Sequence, residues 1–194
     1  MRAFTLDTNC IVGVDEKRAD EEPFVRALAH AHANATADVS VVAISASEKQ
    51  QDGSYIKDFG TFQARLERLE LQHLGLLMPM GYWDIGFYGF SLWCGDEMKM
   101  LEERIHKILF PNDELNWPNH CRAKGLDVNS LTSDDYITWR NRKCDVQAMW
   151  CHIYNKRDVF VTTDGRFFRQ TKKSALLALG AGRIERPRDA IALI

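Results

Sequence analysis

At 194 residues, 45% hydrophobic and 27% charged, the chain is long enough to bury one sizeable core and has ordinary globular composition, which excludes fibrous and disordered classes. No stretch approaches the roughly 18 apolar residues of a membrane span, and the apolar part of MRAFTLDTNC is too short for a signal peptide, so a soluble cytoplasmic protein without a membrane partner is expected. Five cysteines without a C-x-x-C pair argue against a disulfide framework or a thiolate zinc site, while the net charge of -2 hides a basic part: residues 140–188 hold twelve Lys and Arg against four Asp and Glu, which suits a polyanionic partner or a solvated basic face.

Residues 4–6 read as a short strand that closes on the polar Asp7, Thr8 and Asn9. The acids Asp20, Glu21 and Glu22 with Pro23 suit a first helical turn, and Phe24, Leu28, Ala31 and Ala35 then recur at helical spacing. Residues 39–44 (VSVVAI) form a β-branched run and read as a buried strand, so the chain opens β-α-β. Phe62, Leu66 and Leu69 mark another amphipathic helix, followed by an apolar run at 76–80.

Residues 81–133 begin with the aromatic GYWDIGFYGF, continue as a helix over 96–109 and become loop-like around Pro111 and Pro118. Val146, Met149, Trp150 and Ile153 then outline a helix opening at Asp145, and residues 159–161 form a buried strand that ends shortly before Asp164. A helix around 174–179, a Gly-Ala-Gly stop, a short strand near Ile184 and a last helical turn from Arg188 complete the chain. This alternation predicts an α/β fold: a three-layer α/β/α domain over 1–194 with a mainly parallel central sheet, plus a mostly helical insert at about 81–133.

In such sheets ligands bind beyond the carboxyl ends of the strands. Asp7, Glu48 and Asp164 each follow a predicted strand, and Asp145 opens the helix that feeds the Asp164 strand, so chain geometry returns Asp145 and Asp164 to the same edge. Four carboxylates gathered without a cation would repel each other and take up protons. A divalent ion resolves the conflict, and oxygen-only ligation suits Mg²⁺ or Mn²⁺, which can activate a water and offset charge in phosphodiester hydrolysis.

These residues carry a resemblance. LDTN at 6–9, the strand-then-acid stretch VSVVAISASE ending at Glu48, and DVQAMWCHIYNKRDVFVTTDGRFF at 145–168 resemble the PIN-domain nucleases in order and spacing. The resemblance covers roughly the first 60 residues and those from about 135 onward. It implies a Mg²⁺- or Mn²⁺-dependent endoribonuclease with Asp7, Glu48, Asp145 and Asp164 as metal-binding catalytic residues. It further implies a toxin of a toxin–antitoxin pair, a homodimer, and an antitoxin seated on the aromatic insert. The family often carries a further acid two residues after its last aspartate, where this chain has Arg166, and the 81–133 segment exceeds a minimal toxin of the family.

Asn9 and Thr163 read as supports: Asn9 holding a water or ordering the Asp7 loop, Thr163 doing the same or simply closing its strand. Asp7 with Asn9 equally suits a helix cap or Asx turn. Arg140, Arg142, Lys143, Arg166 and Arg169 flank two of the acids and are candidate RNA-phosphate contacts. Trp83, Trp93, Trp117 and Trp139 are candidates for base stacking against the commoner fate of core packing, and His152 for a proton shuttle against a structural role. The alternative function is a non-catalytic RNA- or protein-binding module on the same fold.

Overall fold

The computed structural model describes residues 1–47, 58–83 and 85–194. Five strands form one parallel sheet: β1 (Arg2–Leu6), β2 (Ala37–Val42), β3 (Gly75–Leu77), β4 (Val159–Val161) and β5 (Arg183–Glu185), in the order β3-β2-β1-β4-β5. Side-chain alternation splits their residues between two cores. Val39, Val41, Val159 and Val161 face one cluster, while Val42, Phe160 and Ile184 face the other. The three-layer α/β/α arrangement follows, because both faces of a parallel sheet must be covered. Each fully buried Val or Phe here contributes roughly 1.5–3 kcal/mol to that choice.

The first layer comprises α1 (Thr8–Asp15), α2 (Glu22–Ala33), α3 (Phe59–Arg68) and the short α8 (Pro187–Ala190). The second comprises α4 (Asp96–Leu109), α5 (Trp117–Lys124), α6 (Asp134–Tyr154) and α7 (Gln170–Ala178). Among the described residues no helix is long and apolar enough to cross a membrane. Residues 81–133 are helical only in α4 and α5, with irregular backbone elsewhere among the described residues. They are no appendage, since Ile105, Leu109, Phe110, Trp117 and Cys121 share the second core with α6.

Several expected boundaries shift. The late helix starts at Asp134, where the Ser133 hydroxyl accepts from the Tyr136 amide at 3.2 Å, so Asp145 lies mid-helix and does not open it. An extra helix, α1, follows Asp7 directly, and the backbone at Ala43–Ser47 tightens into a 3-10 turn after β2 ends. Residues around Pro118, expected as loop, form α5 with the proline in its first turn, where its missing N–H costs nothing. Gly182 links α7 to β5 at φ +58°, where a Cβ would come within 2.4 Å of the Asp158 carbonyl oxygen.

The sheet order reverses at β1: the chain proceeds through β2 to β3 on one side and then crosses back to β4 on the other. Such a switch point opens a crevice at the carboxyl edge. The register pairs Leu6 with both Val41 and Val161, so the segments leaving β1, β2 and β4 emerge level with one another.

Candidate functional site

The β1–β4 ladder runs one step past the strands, with the Asp7 amide donating to the Val161 carbonyl at 2.9 Å. This sets Asp7 beside Thr162. Asp7 is buried and held from several sides: one carboxylate oxygen accepts from the Thr8 amide at 2.8 Å, the other from the Thr162 hydroxyl at 2.6 Å and the Asn9 amide group at 3.2 Å. It therefore caps α1 while presenting a fixed carboxylate to the crevice. Thr8 in turn meets Ser45 of the 3-10 turn, hydroxyl to hydroxyl at 2.7 Å.

Asp164 stands at the same edge, its amide donating to the Thr162 hydroxyl at 3.1 Å and its Oδ1 accepting from the Arg166 amide at 2.8 Å. Thr162 thus joins two acids through one buried hydroxyl, a role that the sequence pattern assigns to Thr163. Among the described residues Thr163 only offers its carbonyl to Arg186, at 3.4 Å. The signal was present, because a threonine hydroxyl accepting from the amide two residues on is a standard local turn, and Thr162 has that spacing to Asp164.

Asp145 enters from α6. It is 8% exposed, and its Oδ2 lies 2.8 Å from Nη1 of Arg166 as an ion pair, without a well-formed hydrogen bond among the described residues. Burial raises its pKa well above the usual carboxylate value, Arg166 opposes that shift, and the charges of Asp7 and Asp164 add to it. Burial likewise raises Asp7, against its hydrogen bonds from Thr162 and Thr8 and with help from the Asp164 charge. The three acids therefore converge electrostatically, and two of them resist ionisation.

Arg166 supplies the balancing charge. Its Nε is 2.7 Å from Asp164 Oδ2 while Nη1 reaches Asp145, and these carboxylates outweigh the burial that would lower its own pKa. Among the described residues no three acidic, His or Cys side chains close into a ready metal cage. The donors nonetheless suit a hard divalent ion in chemistry, since Asp7, Asp145 and Asp164 offer only carboxylate oxygens and the last two have a single guanidinium between them as counter-charge. Glu48 lies outside the described residues. Ser47, just before it in sequence, is tied to α6 by the Arg140 side chain, which donates to its carbonyl at 3.1 Å.

The other basic candidates separate. Lys143 is no phosphate contact: it is 2% exposed and paired with the buried Glu102 at 2.6 Å. Arg142 pairs with Asp113 at 2.6 Å, and Arg169 is exposed without an ion-pair partner among the described residues. Of the aromatics, Trp117 and Trp139 pack with Tyr136 in the core, whereas Trp83, Tyr88 and Trp93 are fully exposed. His152 is buried with both ring nitrogens engaged, Nδ1 with the Thr5 hydroxyl and Nε2 with the Ala181 carbonyl, which leaves it no path to shuttle protons.

Comparison of the chain with protein-family models, with curated proteins and with solved structures finds no match.

Proposed function

We propose that this chain is a divalent-metal-dependent endoribonuclease of PIN-like type, hydrolysing phosphodiester bonds with Asp7, Asp145, Asp164 and Glu48. The observation that carries the reading is the gathering of Asp7, Asp145 and Asp164 at the topological switch point, with burial holding two of them reluctant to ionise. Carboxylates arranged at such an electrostatic cost, and only partly compensated, favour a site built for a cation. Bound Mg²⁺ or Mn²⁺ would supply Lewis-acid activation of water and offset the charge that develops on the phosphate. The protein's own part is orientation. Thr162, Thr8 and Asn9 fix the Asp7 carboxylate, α6 carries Asp145 to the same point, and Arg166 offsets the mutual repulsion of Asp145 and Asp164.

In this reading the protein works in the cytoplasm on RNA. The toxin role implied by the resemblance belongs here too, with a homodimer as its assembly and an antitoxin meeting the exposed Trp83, Tyr88 and Trp93. A second reading has its own support: Arg166 already neutralises two of the acids, as a non-catalytic RNA- or protein-binding module without metal would require.

One experiment separates them. Single-stranded and structured RNA are incubated with the protein in Mn²⁺ or Mg²⁺, with EDTA and Asp145→Asn as controls, and thermal unfolding is followed with and without each ion. Cutting that is lost in both controls is the expected result. Absence of cutting, together with no thermal stabilisation by either ion, would leave the binding module as the better reading.

A further inference from the structure

Beside the acids, the end of α4 with residues 110–113 and the segment 166–172 enclose a cleft of about 380 Å³. Its walls carry four cations, Arg142, Arg166, Arg169 and Lys172, against one carboxylate, Asp113. Phe110 organises them: the Arg142 and Arg166 guanidinium carbons and the Lys172 ammonium lie 5.7, 5.6 and 5.6 Å from its ring centroid. Attraction to the ring face offsets part of the repulsion among cations gathered around it. Two of the four have carboxylate partners, Arg142 with Asp113 and Arg166 with Asp145 and Asp164. Lys172 donates to the Leu109 carbonyl, and burial with the charges of Arg169 and Arg166 lowers its pKa, the response of an ammonium in an under-neutralised positive cluster. Arg169 projects into solvent at the rim.

We propose that this cleft binds a backbone phosphate of a single-stranded nucleic acid, next along the strand from the phosphate at the acids. Its volume lies within the roughly 300–1,000 Å³ of small-molecule sites and so exceeds what a bare phosphate fills. Guanidinium groups suit phosphate oxygens, to which they donate in pairs. Arg166 joins the two places, since its nitrogens reach the acids while its guanidinium carbon stands over Phe110. The choice of a strand over a free anion rests on the nuclease reading; the cationic cleft does not.

The test measures anisotropy of a short fluorescein-labelled single-stranded RNA in EDTA, so that binding is read without cutting. Arg169→Glu is the main variant, because its side chain is exposed and unpaired among the described residues and the fold does not need it. Lys17→Glu, between α1 and α2 in the other helical layer, is the charge-matched control. We expect Arg169→Glu to weaken binding about tenfold and to flatten the salt dependence by about 0.7 for each phosphate that is no longer neutralised, with Lys17→Glu near wild type. Equal affinity in Arg169→Glu and wild type, or an equal fall in both variants, overturns the subsite. If inorganic phosphate raises the melting temperature of wild type but not of Arg169→Glu while RNA binds both alike, the cleft takes a free anion and the strand assignment fails. Metal-dependent cutting by the same proteins keeps the two readings distinct. Cutting with unaltered RNA affinity in Arg169→Glu removes the subsite alone, and weakened affinity in a protein that never cuts supports the subsite while removing the nuclease.

Discussion

The guanidinium of Arg166 faces Asp145 and Asp164 at 2.8 and 2.7 Å, so under the proposed function a metal ion held by these carboxylates would compete with it. Arg166→Gln should therefore act in opposite directions with and without metal. In EDTA the variant loses about 1–2 kcal/mol, less than the roughly 3–5 expected on breaking a fully buried pair because Arg166 is 40% exposed. In Mn²⁺ its melting temperature should rise more than that of wild type, since no internal cation competes. An equal Mn²⁺ response in both proteins would mean that Arg166 does not stand in the ion's way. Thr162 makes a second residue-scale case. Thr162→Val keeps the shape but removes the hydroxyl that donates to Asp7, which should cost about 1–3 kcal/mol in urea unfolding, as for a buried polar group left without its partner. Thr163→Val should stay within about 0.5 kcal/mol, and a reversal of that order would return the supporting role to Thr163.

At the scale of elements, α4 and α6 are joined by a buried polar knot. Glu102 and Lys143, 1% and 2% exposed, lie 2.6 Å apart, with Gln147 donating to Glu102 at 2.5 Å, Tyr82 donating to it as well, and Lys143 3.8 Å from the Tyr82 ring centroid. Glu102→Gln strips Lys143 of its counterion and should cost about 3–5 kcal/mol, whereas Glu102→Met with Lys143→Met should recover part of that stability because no charge is left buried. Unfolding of the single and double variants in denaturant tests this, and a double variant no better than the single one would count against it. Strands β2 and β4 were legible because Val39, Val41, Val159 and Phe160 make dense apolar runs, whereas β3 showed only as an apolar run at 76–80, and Asp7 and Asp164 were legible because each follows a predicted strand. The burial of Lys143 was not, since it depends on Glu102 in a distant helix and every local rule reads a lysine beside arginines as solvated. The start of α6 was masked for a related reason: Tyr136, Trp139 and Lys143 are buried at helical spacing, but the intervening polar residues hide that face.

At the scale of the whole molecule, His152 fastens the sheet to the second helical layer. From α6 it meets Thr5 of β1 at 3.0 Å, the Ala181 carbonyl before β5 at 2.9 Å, and the Phe160 ring of β4 at a 5.4 Å centroid distance. Because the Ala181 carbonyl can only accept, Nε2 carries the proton and Nδ1 accepts from Thr5, which defines a neutral tautomer. Burial lowers its pKa to about 4, with the Ala181 bond opposing and the Arg157 charge adding. In the unfolded chain the same ring titrates near 6.5. The folded pKa is the lower, so the unfolded state holds the extra proton between these values; the contribution is complete above about pH 6.5 and is lost as pH falls toward 4. At pH 5 the decrease amounts to about 2 kcal/mol. Asp7 and Asp145 work the other way, because their raised folded values favour the native state as protons are added, so the total profile of the wild type mixes opposing slopes. A difference measurement isolates the histidine. Urea unfolding of wild type and His152→Gln at pH 7 and pH 5 should find the variant less stable at pH 7 and the gap narrowed by about 2 kcal/mol at pH 5, with the shared carboxylate contributions cancelling. A gap that stays constant with pH would mean that the ring takes its proton inside the folded protein, and that the contact between sheet and helical layer survives its charge.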